Sequence, residues 1–150
     1  MREAVSLGRT GMTQNGGGPF GAVVVCEGEI VGRGHNQVTT ALDPTAHAEV
    51  LAIRTACQAL GRFELRGCEI YVSCEPCPMC LAAIYWARLD RIYYGCTRRD
   101  ASEIGFDDEF IHEQMLLAIT VRSLPMKQIG REGSLGLFQE WSAKRDKIPY

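Results

Sequence analysis

The chain reads as an α/β protein, with helices packed on a central sheet. Two observations predict this. Valine-rich apolar runs of strand length alternate with longer segments of helical periodicity, the pattern of a layered α/β fold. Turn and cap signals such as Glu27-Gly28, Asp43-Pro44 and Gly61 fall between the two kinds of segment. At 150 residues the chain suits one domain, and a domain of this size buries roughly two-thirds of its unfolded surface without needing disulfides.

The elements follow in order. Arg2 to Met12 carries weak helical patterning through Ala4, Val5 and Leu7, and Gly16-Gly17-Gly18-Pro19 breaks it. Phe20 to Cys26 is apolar and rich in valine, so it reads as a buried strand. Glu27-Gly28 turns the chain into a second strand, Glu29 to Asn36. Asp43, as an N-cap acid, and Pro44, at the first helical position, predict a helix start. That helix runs through Ala46, Val50, Ile53, Ala56 and Leu60 to Gly61. Cys68 to Ser73 is a third strand. Pro76 opens a second buried helix through Met79, Ala82, Ala83 and Trp86, and Arg91 to Cys96 is a fourth strand. Beyond Arg98 the spacing predicts a helix within Ser102 to Leu117, broken near Gly105. A fifth strand over Ile119 to Ser123 and a helix over Leu135 to Lys147 complete the chain.

Composition narrows the function. Hydrophobic residues make up 46% and charged residues 23%, ordinary for a soluble globular protein. No long uncharged apolar run exists, so no membrane span is expected. The start, Met1-Arg2-Glu3-Ala4, lacks a signal-peptide core, which points to the cytoplasm. A net charge of -2 gives no support for a partner made of nucleic-acid phosphates; a small-molecule substrate is favoured. Seven cysteines is an odd number. In a reducing compartment their usual roles are metal ligation and burial.

Three of those cysteines fall in Cys74-Glu75-Pro76-Cys77-Pro78-Met79-Cys80, and upstream stands His47-Ala48-Glu49. Each segment opens a predicted helix. His47, Cys77 and Cys80 supply three ligands for Zn2+ and leave the fourth position open to water, whereas a closed structural site has four. Zinc makes hydroxide available near neutral pH, and Glu49 would shuttle the proton. Helix N-termini favour anions, so two of them converging on the ion would stabilise the thiolates. Residues two apart do not share a helix face. His47 and Glu49 therefore converge on one ion only at the helix end. Taken singly the signals are weaker: His-x-Glu arises by chance, Cys-x-x-Cys also serves redox and structural roles, and Cys74 could close the site as a fourth ligand. In this order they match the zinc deaminase signature, H-x-E followed by P-C-x-x-C.

On these residues the chain resembles the cytidine-deaminase-like superfamily and, within it, the bacterial guanine deaminases. The segments that carry the resemblance are Gly17-Gly18-Pro19-Phe20-Gly21-Ala22, Asp43 to Glu49, Ser73 to Cys80 and Ile104-Gly105-Phe106-Asp107-Asp108. The Gly-Phe-Asp-Asp segment and the terminal tyrosine resemble the guanine branch. The resemblance implies a three-layer α-β-α sandwich with a central mixed five-stranded sheet. It implies conversion of guanine and water to xanthine and ammonia by a zinc-activated hydroxide attacking C2. It implies that Asn36 hydrogen-bonds the base, that Phe20 forms an aromatic wall, and that Asp108, or Asp107 one register away, reads the purine edge. Tyr150 would close over the base, and Ala48 and Trp86 would border it. A homodimer is implied, with a C-terminal segment of about residues 133–150 exchanged between subunits. The lead before Gly17 is shorter than the family's, and Met115 to Ser134 does not follow it residue by residue.

Each of these residues also has a plainer reading. Cys74 suits a packed thiol at a strand end, and Cys26, Cys57, Cys68 and Cys96 suit the core. His35 fits a strand end satisfied by its neighbours. Trp86 serves a core as readily as a pocket. Asp108 could cap a helix, and Tyr150 could fray. The alternatives in function are a deaminase of guanosine, cytosine or another amino-heterocycle, a tRNA adenosine deaminase, and a zinc-stabilised binding module without activity.

Overall fold

A computed structural model describes residues 1–150. It divides into two units, Met1–His112 and Glu113–Tyr150. The first opens with α1 (Arg2–Thr13), then β1 (Gly21–Cys26), β2 (Glu29–His35), α2 (Val38–Ala41) and α3 (Ala48–Leu60). It continues with β3 (Cys68–Cys74), α4 (Pro78–Trp86), β4 (Arg91–Cys96) and α5 (Arg98–Glu103). α6 (Asp108–Leu116) and α7 (Arg131–Ala143) follow.

The strands stand in the order β2-β1-β3-β4. β1 runs antiparallel to both β2 and β3, while β3 and β4 are parallel, so the sheet is mixed. Glu27 and Gly28, both at positive φ (51° and 85°), make the two-residue turn whose twist matches the β1–β2 hairpin. The sheet has four strands, not the expected five. Ile119 to Ser123 contains a single 3-10 turn, Ile119–Val121. Ile119 and Val121 are both exposed, and β-branched residues favour a strand only against a packed surface.

Register sorts the side chains onto two faces. Ala22 and Val24, paired with Gly34 and Gly32 on one side and with Val72 and Ile70 on the other, share a face. α3 covers that face with Ala48, Ala52 and Ala56, and Leu65, in the loop before β3, completes the core with Ile84 of α4. Contact is backbone-close: a Cβ on Gly34 would collide with the Ala48 carbonyl oxygen. The opposite face carries α1, where a Cβ on Gly21 would collide with the Ala4 carbonyl. Helix, sheet and helix therefore form three layers, as expected.

The Glu113–Tyr150 unit holds the end of α6, the 3-10 turn and α7. The Arg122 guanidinium donates to the Leu117 carbonyl (3.1 Å), and Ser123 N–H donates to Gln114 Oε1 (2.8 Å). No residue of this unit is buried; Phe138 and Trp141 of α7 are both exposed. No helix in the chain is long and apolar enough to cross a membrane.

Candidate active site

The site forms where β2 and β3 end and β1 begins. Asp43 was expected to start α3, and it does something else. Its Oδ1 accepts from the Thr45 N–H (2.8 Å) and the Thr45 hydroxyl (2.7 Å), an Asx-type turn that competes with the helix. α3 begins five residues later, at Ala48. His47 becomes its N-cap in extended conformation (φ −74°, ψ 153°), and Glu49 sits in the first turn. The second helix shifts in the same way: Cys77 is the N-cap of α4 and Pro78, not Pro76, takes the first helical position. Both motifs therefore lie at helix N-termini, where off-helix geometry lets His47 and Glu49 approach one point.

His47 Nδ1 lies 3.6 Å from Cys77 Sγ and 3.5 Å from Cys80 Sγ. The three ligand atoms lie within 4.8 Å of one another. A tetrahedral zinc with Zn–S of about 2.3 Å and Zn–N of about 2.0–2.1 Å needs N···S edges of about 3.6 Å. The donor set and its spacing fit that ion. Cys74 is not in the group; its thiol donates to the Thr97 carbonyl at 3.4 Å, and burial pushes it up to about 12, the behaviour of a packed thiol.

The electrostatics suit a cation. The Cys77 thiol is drawn down to about 4, first by a hydrogen bond from Cys80 and then by one from His47, against burial. His47 is raised by its bond to Cys77, and Cys80 is raised by donating to Cys77 and by burial. A cation competes with protons for such a set. Burial pushes Glu49 up to about 7. Burial also raises Asp108, and the Cys77 charge adds to it.

Beside the ligands lies a cavity of about 230 Å³. That is smaller than the roughly 300–1,000 Å³ of pockets for drug-sized ligands, a size for one heterocyclic ring system. His47, Glu49, Cys77, Asn36, Phe20 and Asp108 all line it. Asn36 is 4% exposed, and its Oδ1 accepts from the Gly18 and Val38 N–H groups, both at 3.2 Å. With the oxygen so engaged, the amide has donors left to offer. Gly17 permits this arrangement: its φ is +150°, and a Cβ there would collide with Asn36 Oδ1.

Other expected contacts fall elsewhere. Ala48 is buried in the core under the sheet and is off the cavity wall, because it begins the helix face that packs on β2. Trp86, at the end of α4, is 61% exposed and also off the wall. Asp107 is off the wall while Asp108 is on it, since the start of α6 separates the two. Tyr150 belongs to the Glu113–Tyr150 unit and is exposed. Cys96, expected in the core, is exposed on an edge strand. His35 packs beneath Gly11 and contacts Gln37 Nε2 at 3.4 Å. The sequence reading missed Phe106 and Glu75, which also line the cavity. Both stood inside the segments that carry the resemblance, and neither had a pattern of its own to mark it.

The chain belongs to the cytidine and deoxycytidylate deaminase family; the zinc-binding region of that family matches residues 1–96. Within this zinc-dependent hydrolase class, it is 47% identical to guanine deaminase from Bacillus subtilis over all of this chain and 96% of that one. The X-ray structure of guanine deaminase from Bacillus subtilis matches with a TM-score of 0.95 at 48% identity, covering 99% of this chain and 95% of that one. A tRNA-specific adenosine deaminase of Agrobacterium fabrum is 51% identical over 77 residues, 51% of each chain.

Proposed function

We propose that the chain hydrolyses guanine to xanthine and ammonia. The observation that carries this reading is one cavity of ring size, lined by the buried Glu49 carboxyl, the Asn36 amide and the Asp108 carboxyl, beside a three-donor zinc set. His47, Cys77 and Cys80 would hold zinc, which when bound supplies Lewis acidity that activates water near neutral pH. The protein residues do the rest. Glu49, buried in the cavity wall beside the ligands, is the group placed to carry the proton. It takes one from the attacking water and passes it to a ring nitrogen beside the reacting carbon; it then takes the remaining proton of the added hydroxyl and delivers it to the amine nitrogen, which leaves as ammonia. Asn36 donates to an acceptor on the base. Asp108 accepts from the ring N–H and amine edge, where a carboxylate makes charge-assisted bonds. Phe20 and Phe106 form one aromatic wall against the ring.

The reading extends to a cytoplasmic homodimer. Ligation by Cys77 and Cys80 requires reduced thiols, which the cytoplasm maintains. Exchange of a segment of about residues 133–150 is supported by the lack of any buried residue in Glu113–Tyr150. A piece that short cannot bury a core of its own, and its apolar side chains call for a partner surface. Tyr150 would then close the partner subunit's cavity.

The test is a substrate panel of guanine, guanosine, cytosine and tRNA with the zinc-loaded protein, scored by ammonia release and product identity. Guanine should be consumed with xanthine formed in equal amount. No turnover of guanine, with turnover of another member, would move the assignment to that substrate.

A further inference from the structure

We propose that Glu75 is a positioning residue for base recognition, holding the segment that carries Phe106 and Asp108 in register with the loop that carries Cys77. This rests on the reading above, in which the cavity takes a purine.

β3 ends at Cys74 and α4 begins at Pro78, so residues 75–77 are a short bridge from the sheet to a metal-ligating N-cap. Four contacts tie Cys74 and Glu75 to the end of β4 and the residues that follow it. The Glu75 N–H donates to the Cys96 carbonyl at 2.8 Å. Glu75 Oε2 accepts from the Arg98 N–H at 3.1 Å, and Oε1 pairs with the Arg98 guanidinium at 3.6 Å. The Cys74 thiol donates to the Thr97 carbonyl at 3.4 Å.

From Arg98 onward each link is bonded. Thr97 and Asp100 cap α5 reciprocally. Ala101 is buried, and its carbonyl accepts from both the Ile104 and the Phe106 N–H at 3.2 Å. Phe106 then meets Phe20, and Asp108 reaches the cavity. The Glu75 carboxylate is thus the one side-chain group that joins the ligand loop to the start of this path through both backbone and guanidinium. A partly exposed ion pair of this kind adds little to stability, so its effect should appear in geometry.

The experiment compares zinc-loaded wild type, Glu75→Ala, Glu75→Gln and Asp108→Asn by steady-state kinetics with guanine and by zinc content. Glu75→Ala should raise KM about tenfold with kcat changed less than about threefold, the pattern of lost binding. Zinc should stay equimolar. Glu75→Gln keeps an acceptor for the Arg98 N–H and should recover most of that KM; it also serves if the alanine variant fails to fold. In the Asp108→Asn background, Glu75→Ala should lower kcat/KM by clearly less than it does in wild type, because part of its effect runs through Asp108 and only the part through Phe106 remains. An unchanged KM, an equal loss in both backgrounds, or loss of zinc would overturn the proposal. If wild type does not consume guanine, the functional reading itself fails; an active wild type with an unaffected Glu75→Ala sinks only this inference.

Discussion

Phe106 meets Phe20 edge to face, with ring centroids 4.7 Å apart and planes at 80°. Both rings line the cavity, and Gly18 leaves room for them, since a Cβ there would press on both. An aromatic wall binds a flat base by contact that does not change as the reaction proceeds. Phe106→Ala should therefore raise KM for guanine by about tenfold and leave kcat nearly unchanged, as expected for uniform binding. Steady-state kinetics with zinc analysis checks this; an unchanged KM would remove Phe106 from the base wall.

Asn36 joins stability to recognition. Its oxygen satisfies two backbone N–H groups, and its amide nitrogen is left for a ligand. Asn36→Ala should cost about 1–3 kcal/mol in urea unfolding, the penalty for buried donors without acceptors, and should also lose activity. Asn36→Asp keeps both acceptors, so it should lose much less stability while KM rises about tenfold or more. If the aspartate variant binds guanine normally, the donor role assigned to Asn36 is wrong.

What the sequence made legible was chemistry with local spacing. His47, Glu49, Cys77 and Cys80 come together as the motifs require, and four strands appear where alternation and turn residues placed them. Long-range geometry was not legible. Asp43-Pro44 has the form of a helix start, yet the Asp43–Thr45 bonds make it a turn, and that moves His47 to the N-cap. Ile119 to Ser123 has strand composition but lacks a surface to pack on. Glu75 reads as an ordinary charge within a motif until Arg98, 23 positions away in sequence, is brought against it.

Asp108 gives the pH dependence a definite sign. Burial, and next the charge on Cys77, raise its carboxyl above the ordinary 3.8. The folded chain then binds that proton more tightly than the unfolded chain. Between 3.8 and the raised value the native state holds more protons, so stability falls as pH rises through that window. Asp108→Asn should unfold at higher urea than wild type at neutral pH, with the gap closing below about pH 4, where the wild-type carboxyl is neutral in both states. The same variant should lose purine affinity. A variant less stable than wild type at neutral pH would show that the charge's favourable place at the start of α6 outweighs its desolvation.

Whether Tyr150 acts in its own subunit or in its partner's can be decided by pairing two defective chains. Glu49→Gln should retain zinc and lose turnover, since the proton carrier is gone. Deletion of Tyr150 should lower activity with little loss of stability, because the residue is exposed. In a hybrid dimer with an exchanged C-terminal segment, the subunit lacking Tyr150 keeps Glu49 and receives the partner subunit's Tyr150, so one of its two sites is whole. Random pairing of equal amounts gives half hybrids, and about one quarter of wild-type activity should return. The second site of each hybrid lacks both groups and contributes nothing. Hybrid dimers verified by mass that stay as inactive as their parents would place Tyr150 over its own subunit's cavity, and would remove the functional reason for exchange.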